Sequence, residues 1–197
     1  MTNRITLIGT LASKPEFSHS NHGKRFYAFS LEVARLSGTV DTLPILASEA
    51  LLRQIELKEA SSLRITGQIR SYNSHSPTGR RLIISVLADQ IDFCDLPHDN
   101  EVNLQGTICK EPSYRRTPLG REICDVLLAV NRPYRRADYL PCILWGHTAQ
   151  EAAYYPVGTQ LSLIGRLQSR NYIKLLGDRS EQRTTYEISA ISAEIDE

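Results

Sequence analysis

The chain lacks the features that mark several common classes of protein. None of its apolar runs approaches the ~20 residues of a membrane-spanning helix, and its first residues contain no apolar signal segment. Its four cysteines form no C-x-x-C pair, which argues against a zinc site or a dithiol redox centre. We therefore expect reduced thiols and a cytosolic protein, with no metal, no cofactor and no membrane contact.

Catalytic motifs are missing as well. The five histidines are scattered without an H-E-x-x-H motif, and no G-x-S-x-G, phosphate-binding or dinucleotide-binding glycine motif occurs. Asp138 stands beside Tyr139, but a turn leading into a strand accounts for that pair. The sequence thus predicts a protein that is not an enzyme, and we assign no catalytic residue.

The charge balance is nearly neutral, at +1, so the strongly basic composition of many nucleic-acid-binding chains is absent. Arginine nevertheless dominates, since only five of the 23 basic residues are lysine. The planar guanidinium group suits phosphate oxygens and stacks on bases. Acids gather at Asp95 and Asp99 and at the end of the chain, in Glu194, Asp196 and Glu197, which leaves the rest of the chain positive.

The sequence does contain an internal repeat, with an offset of 97 that later becomes 98. Two copies are too few for a solenoid, so we predict two copies of one domain, residues 1–93 and 100–197, joined by a linker at 94–99. The aligned pairs include Gly9 with Gly106, Pro15 with Pro112, Gly23 with Gly120, Asp41 with Asp138, Gly67 with Gly165 and Asn73 with Asn171.

Each copy shows five strand-like segments, with one helix-like segment between the third and the fourth. The helix-like segments are Glu49 to Ile55 and Thr148 to Tyr155. This order is typical of the OB-fold, a five-stranded Greek-key barrel, and predicts an all-β chain of two tandem OB-folds. A β-sandwich is the alternative, although its larger number of strands suits ~95 residues per copy less well.

The second copy, over about residues 100 to 195, resembles the bacterial single-stranded DNA-binding protein family. The motifs that carry the resemblance are Asn103-Leu104-Gln105-Gly106-Thr107, Thr117-Pro118-Leu119-Gly120, Asp138-Tyr139-Leu140-Pro141-Cys142-Ile143-Leu144-Trp145 and Gly165-Arg166-Leu167-Gln168-Ser169-Arg170-Asn171-Tyr172. The first copy is a weaker match, nearer to the small primosomal relatives of that family. The resemblance implies an OB-fold, no enzymatic activity and sequence-tolerant binding of single-stranded DNA. The family works with four OB-folds, so it also implies a homodimer.

Four aromatic residues stand where the family places rings that stack on bases: Tyr134, Tyr139, Trp145 and Tyr172. An aromatic residue on a strand is more often part of the core. Cations flank Tyr134 and Tyr172, which favours binding for these two. Tyr139 and Trp145 are six residues apart and would share one face of a strand, but their sequence context alone leaves core and binding roles open.

Cations accompany these rings. Within 22 residues of the second copy, the only acids are Glu122 and Asp125. This imbalance predicts a track for phosphates, with a solvated loop surface as the alternative. The predicted phosphate contacts are Arg115, Arg116, Arg121, Arg132, Arg135 and Arg136 in that segment, followed by Arg166, Arg170 and Lys174.

The first copy departs from this pattern. Thr42, Ser48 and Ser74 occupy the positions that align with Tyr139, Trp145 and Tyr172. We therefore expect the first copy to bind weakly and mainly to support assembly. Residues that still offer contacts to a strand are Tyr72, Arg70, Lys24, Arg25, Arg80 and Arg81.

These observations predict a protein that coats single-stranded DNA in replication, recombination or repair, associated with the nucleoid in the cytoplasm. The alternatives are an accessory interaction module of the primosome or of replication restart, and an RNA-binding OB protein, because stacking does not distinguish the two sugars. The end of the sequence has no glycine-rich linker and no terminal aromatic residue. We therefore do not expect a tail to recruit partner proteins, and we expect a role tied to a plasmid, phage or other mobile element.

Overall fold

The computed structural model describes residues 2–76 and 79–196, which are mostly β-strand. In the first repeat, apolar residues alternate with polar ones, and strand β1 (Asn3–Leu11) buries Ile5 and Leu7 completely. The other elements of this repeat are β2 (Glu16–Asn21), β3 (Lys24–Ala34), β4 (Val40–Ser48), α1 (Glu49–Leu52), β5 (Ser62–Ser76) and β6 (Gly79–Phe93).

The second repeat has the same order of elements. In its strand β9 (Glu122–Arg132), the alternating residues Cys124, Val126, Leu128 and Val130 are buried on one face. The remaining elements are β7 (Asp99–Ile108), β8 (Ser113–Arg116), β10 (Arg136–Trp145), α2 (Gly146–Ala152), β11 (Gln160–Leu176) and β12 (Arg179–Ile195).

Five strands of each repeat close into a ring. In the first repeat, β1 pairs antiparallel with β3 and β5, β3 pairs with β4, and β4 pairs parallel with β6, which neighbours β5. In the second repeat, β7, β9, β10, β12 and β11 follow one another in the same way, again with one parallel pair, β10 with β12. This connectivity is that of the OB-fold, so the predicted all-β tandem OB-fold is confirmed.

Two short strands and the lengths of the helices differ from the prediction. Strands β2 and β8 lie outside the rings and pair with β3 and β9. All of their residues are exposed, so no alternation of burial signals them in the sequence. Helix α1 begins at Glu49 as predicted but ends at Leu52, and none of its residues is buried. No helix within the described residues is long and apolar enough to cross a membrane.

Contacts divide the chain into two compact units that do not coincide with the predicted domain boundaries. One unit contains Thr2–Arg70 and Ser85–Leu104, and the other contains Ser71–Ile84 and Gln105–Glu197. The outer end of the β5–β6 hairpin thus belongs to the unit that contains most of the second repeat. Asp99, the last residue of the predicted linker, already pairs with Ile8 as part of β7. The division into repeats at 1–93 and 100–197, with a linker at 94–99, stays a prediction from the sequence.

A glycine allows two strands of the second repeat to approach closely. The register of β11 against β12 shifts between Ile164 and Gly165, which is a β-bulge. A Cβ atom at Gly165 would collide with the backbone carbonyl oxygen of Ser189. This position therefore excludes larger residues, and the bulge sets the direction in which the outer half of β11 leaves the barrel.

Each repeat buries an aspartate near the start of one strand, β4 in the first repeat and β10 in the second. Asp41 in β4 accepts two hydrogen bonds from Arg35, at 2.7 Å from Nε and 2.6 Å from Nη2. In β10, the aligned Asp138 is completely buried and accepts a bond from the backbone N–H of Ser71, at 2.7 Å. Both carboxylates hold structure, because a buried charge requires such partners. Asp138 lies within strand β10 and not in the expected turn, and its partner Ser71 belongs to the distant β5–β6 hairpin.

Candidate nucleic-acid interface

Strand β10 presents Tyr139 and Trp145 on one face. Their neighbours Asp138, Leu140, Cys142 and Leu144 are buried on the opposite face, towards the core of the barrel. Tyr139 is 42% exposed, whereas Trp145 is half-buried. The indole Nε1–H of Trp145 donates a hydrogen bond to Oγ of Ser189, at 2.9 Å. Tyr139 thus offers part of its ring to solvent, and the indole of Trp145 is held in one orientation.

Strand β11 carries further predicted residues on the same face. Ser189, which binds Trp145, stands opposite Arg166 in the β11–β12 ladder. Residues two apart on a strand point the same way, so Arg166, Arg170, Tyr172 and Lys174 share a face with Trp145. Tyr172 is 39% exposed and pairs across the ladder with Arg183. We call this surface of β9, β10, β11 and β12, opposite the core, the outer face.

Tyr134 stands at the tip of the β9–β10 hairpin. Its side chain is 94% exposed, and its backbone is left-handed, with a φ of 63°. Arg135 follows with a φ of 54°, and an ordinary L-residue in this region costs roughly 1–2 kcal/mol. Two strained residues in succession reduce stability, and such strain is typical of loops that bind a ligand. The exposed Arg136 follows this tip.

The cations near β8 are less available than the sequence suggested. Nε of Arg115 lies 2.9 Å from Oδ2 of Asp125. Nη2 of Arg116 lies 3.0 Å from Oε1 of Glu122, which also accepts a bond from the Tyr114 hydroxyl at 2.7 Å. The only two acids of this segment are therefore both paired with its arginines, and the expected imbalance of charge is smaller in the folded protein.

Two more arginines lie near buried acids. Nε of Arg132 is 3.3 Å from Oδ2 of Asp138 but is not aligned for a hydrogen bond. Nε of Arg170 is 3.7 Å from Oε2 of Glu187, and burial raises the pKa of Glu187 despite the opposing effect of that arginine. Within the described residues, the predicted cations without an ion pair closer than 4 Å are Arg121, Arg135, Arg136, Arg166 and Lys174.

The four predicted rings lie on β10, on β11 and in the β9–β10 turn, and within the described chain none of them contacts another ring. Tyr139, Trp145 and Tyr172 share the outer face, while Tyr134 stands on the hairpin tip of the same unit. Rings that do not touch each other leave room for an unpaired base at each of them.

Sequence reasoning named residues of the β5–β6 hairpin as candidates but missed that the hairpin contacts residues of the second repeat. Oγ of Ser71 accepts a hydrogen bond from the backbone N–H of Tyr139, at 2.7 Å. Arg81 donates to the carbonyl oxygen of Thr184, and with Arg183 it lines an open cavity of about 560 Å³ beside Tyr172 and Lys174. No motif marks Ser71, and only its alignment with Ser169 at the offset of 98 singles it out.

The remaining candidates of the first repeat are less concentrated. Tyr72 is exposed, and the guanidinium of Arg70 binds the side chain of Gln68. The side chain of Arg80 lies outside the described residues. Among the residues that the structure describes, no group of three His, Cys, Asp or Glu side chains is arranged to hold a metal ion.

Comparison with known proteins gives the family. The Single-strand binding protein family matches residues 99–195. Single-stranded DNA-binding protein B of Bacillus subtilis is 39% identical over 80 residues, which cover 37% of this chain and 71% of that protein. The chain belongs to the single-strand binding protein family.

Other members of the single-strand binding protein family are longer than the shared region. The single-stranded DNA-binding protein of Enterococcus faecalis is 38% identical over 87 residues, which cover 41% of this chain and 46% of that protein. The chain spans about half the length of most of the curated relatives that it matches. Members of the single-strand binding protein family are not enzymes, in agreement with the sequence prediction.

A solved structure extends the similarity to both repeats. The wild-type single-stranded DNA binding protein from Thermus aquaticus superposes with a TM-score of 0.80 at 22% identity, covering 100% of this chain and 93% of that chain. At this identity the match concerns the fold. Both OB-folds of this member of the single-strand binding protein family, including the first, therefore have counterparts in one known protein.

Proposed function

We propose that the protein binds single-stranded DNA without strong sequence preference and protects it during replication, recombination or repair. The observation that carries the proposal is the outer face, where Tyr139 and Trp145 of β10 share a surface with Tyr172 and the cations of β11. Unpaired bases stack on aromatic rings whatever their identity, because every base has a π-face. Family membership and the names of the relatives support the same ligand.

In the proposed mechanism, the rings hold the bases and the unpaired cations hold the phosphates. Each stacked base contributes roughly 1–3 kcal/mol. The hydrogen bond from Trp145 to Ser189 fixes one ring before DNA arrives, which lowers the entropy lost on binding. Tyr134 and Arg135 add a ring and a cation from the hairpin tip. Arg115, Arg116, Arg132 and Arg170 contribute less, since each already has an acidic partner.

Titration with oligothymidine tests the proposal. Trp145 is the only tryptophan of the chain, so its emission reports directly on the outer face. We expect quenching on binding, and about a 5- to 150-fold loss of affinity in Tyr139→Ala, which corresponds to one stacked base. If each of the five cations without an ion pair contacts one phosphate, log K should fall with log salt with a slope of about −3.5 per chain.

Tyr154→Ala is the matched control, because Tyr154 is exposed but lies beyond α2 and not on the outer face. Its affinity should equal that of the unmodified protein. An emission that stays constant at low salt, together with equal affinities for Tyr139→Ala and Tyr154→Ala, would contradict the proposal.

We also propose that the active form is a homodimer with four OB-folds, since the family works with four and each chain supplies two. Association with the nucleoid in the cytoplasm is part of the same proposal. A role tied to a mobile element stays a prediction from the sequence.

A further inference from the structure

The first repeat has an aromatic ring at the same ladder position as Trp145, but on the other strand. In the second repeat, Trp145 of β10 stands opposite Ile123 of β9. In the first repeat, Ser48 of β4 stands opposite Phe26 of β3. The offset of 97 aligns Ser48 with Trp145 and Phe26 with Ile123. The aromatic residue of this pair is therefore on β10 in the second repeat and on β3 in the first. An alignment of the two sequences shows only that the first repeat lacks the tryptophan.

A second ring joins Phe26. The imidazole of His19 stacks on it in near-parallel geometry, with 5.1 Å between the ring centroids and 12° between the planes. His19 belongs to β2, whose residues are all exposed, and it pairs with Phe26 because the ladder is irregular between Phe17 and His19. Oγ of Ser18 lies 3.0 Å from Nδ1 of His19 and holds the imidazole in place. One face of this stack is therefore available at the surface.

The charges around the stack differ from those in the second repeat. Ala28 aligns with Asp125, and Arg25 aligns with Glu122, so the two acids that neutralise arginines beside β9 have no counterpart in β3. Lys24 is exposed, is two residues from Phe26 on the same side of β3, and has no ion pair closer than 4 Å within the described chain. The acid of β3, Glu32, stands six residues from Phe26, and the nearer Glu49 is paired with Arg25, at 3.7 Å.

We propose that His19 and Phe26 form a second site for an unpaired base, on the first repeat, with Lys24 holding an adjacent phosphate. The site rests on the proposed function, because its ligand is the same single strand. It assigns the first repeat a direct contact with the strand, where the aligned positions Thr42, Ser48 and Ser74 offer no ring. A strand long enough to pass both repeats would use this site, and a short one would occupy the richer outer face of the second repeat.

Binding of two oligothymidines tests the site. One strand of about 8 nucleotides fits a single OB-fold, and one of about 40 nucleotides extends beyond it. We expect His19→Ala to weaken binding of the long strand about fivefold, the lower end for one stacked base, and Lys24→Ala to weaken it by the loss of a phosphate contact. Both variants should leave binding of the short strand unaffected. His19→Phe should retain the affinity, because it keeps a ring in the stack.

The controls separate this proposal from the proposed function. Ser20→Ala changes another exposed residue of β2 and should bind both strands as the unmodified protein does. Circular dichroism melting confirms that each variant is folded. If the unmodified protein binds both strands and His19→Ala binds the long one equally well, the stack has only a structural role in the β2–β3 hairpin and the proposal is wrong. If the unmodified protein binds neither strand, the proposed function itself fails, and this site with it.

Discussion

At the scale of single residues, Glu187 is the least expected feature of the outer face. It is a buried carboxylate on a surface proposed to hold phosphates, near Arg170, Gln168, Asp125 and Arg115. Burial disfavours its charged form and raises its pKa. A raised pKa in the folded state means that this group costs stability as the pH rises from the ordinary glutamate range through the raised value.

We predict that Glu187→Gln melts at a higher temperature than the unmodified protein at neutral pH, and that this difference shrinks as the pH falls through that window. The same variant should bind oligothymidine more tightly, because Arg170 loses a competing acid. Thermal melting and titration between pH 4 and pH 8, on the scale set by an ordinary Glu pKa of about 4.3, check both results. Glu194→Gln removes an exposed carboxylate from the same strand and should show neither effect.

At the scale of elements, the end of the β5–β6 hairpin supports the strand that carries Tyr139. Strand β10 pairs with β12 at Cys142 and Ile143. The backbone N–H of Tyr139 therefore has no hydrogen-bond acceptor on the described residues of β12. Ser71 accepts this N–H through Oγ and donates its own N–H to Asp138. A hairpin of the first repeat thus completes the edge of a strand in the second, where a buried N–H would otherwise lack an acceptor.

We predict that Ser71→Ala destabilises the protein by about 1–3 kcal/mol, since it removes the acceptor of a partly buried N–H. Hydrogen exchange of the Tyr139 amide should accelerate in the variant while the amides of the barrel core stay protected. Asn73→Ala, an exposed change on the same strand, should leave that amide unchanged. Equal protection of Tyr139 in both variants would show that Ser71 does not hold this edge.

At the scale of the whole molecule, the two repeats predict the assembly. A homodimer of the 22.2 kDa chain supplies four OB-folds, and we expect light scattering to give twice the chain mass with and without oligothymidine. A mass equal to one chain in both conditions would contradict the homodimer but not DNA binding, because the outer face lies within one chain.

The fold was largely predictable, because an offset that aligns glycines and prolines exposes a duplicated β-rich unit. Contacts between distant residues were not predictable. The arginines of the second repeat looked unbalanced until folding brought Arg170 to Glu187, 17 positions away. Strand β2 has no buried residue and so leaves no pattern. Phe26 aligns with an aliphatic residue, and only the register of β3 against β4 shows that it stands where the tryptophan stands in the other repeat.

The hairpin end formed by Ser71–Ile84 has a consequence for how the chain can be divided into fragments. Two fragments cut between the repeats would not fold independently. The first fragment would carry Ser71–Ile84, which belongs to the unit of the second repeat, and the second fragment would carry part of β7, which belongs to the unit of the first. Two such fragments would have to exchange this hairpin end between molecules, as in a domain swap. In the intact chain this encounter is intramolecular and does not depend on protein concentration, so the exchange becomes a step of folding.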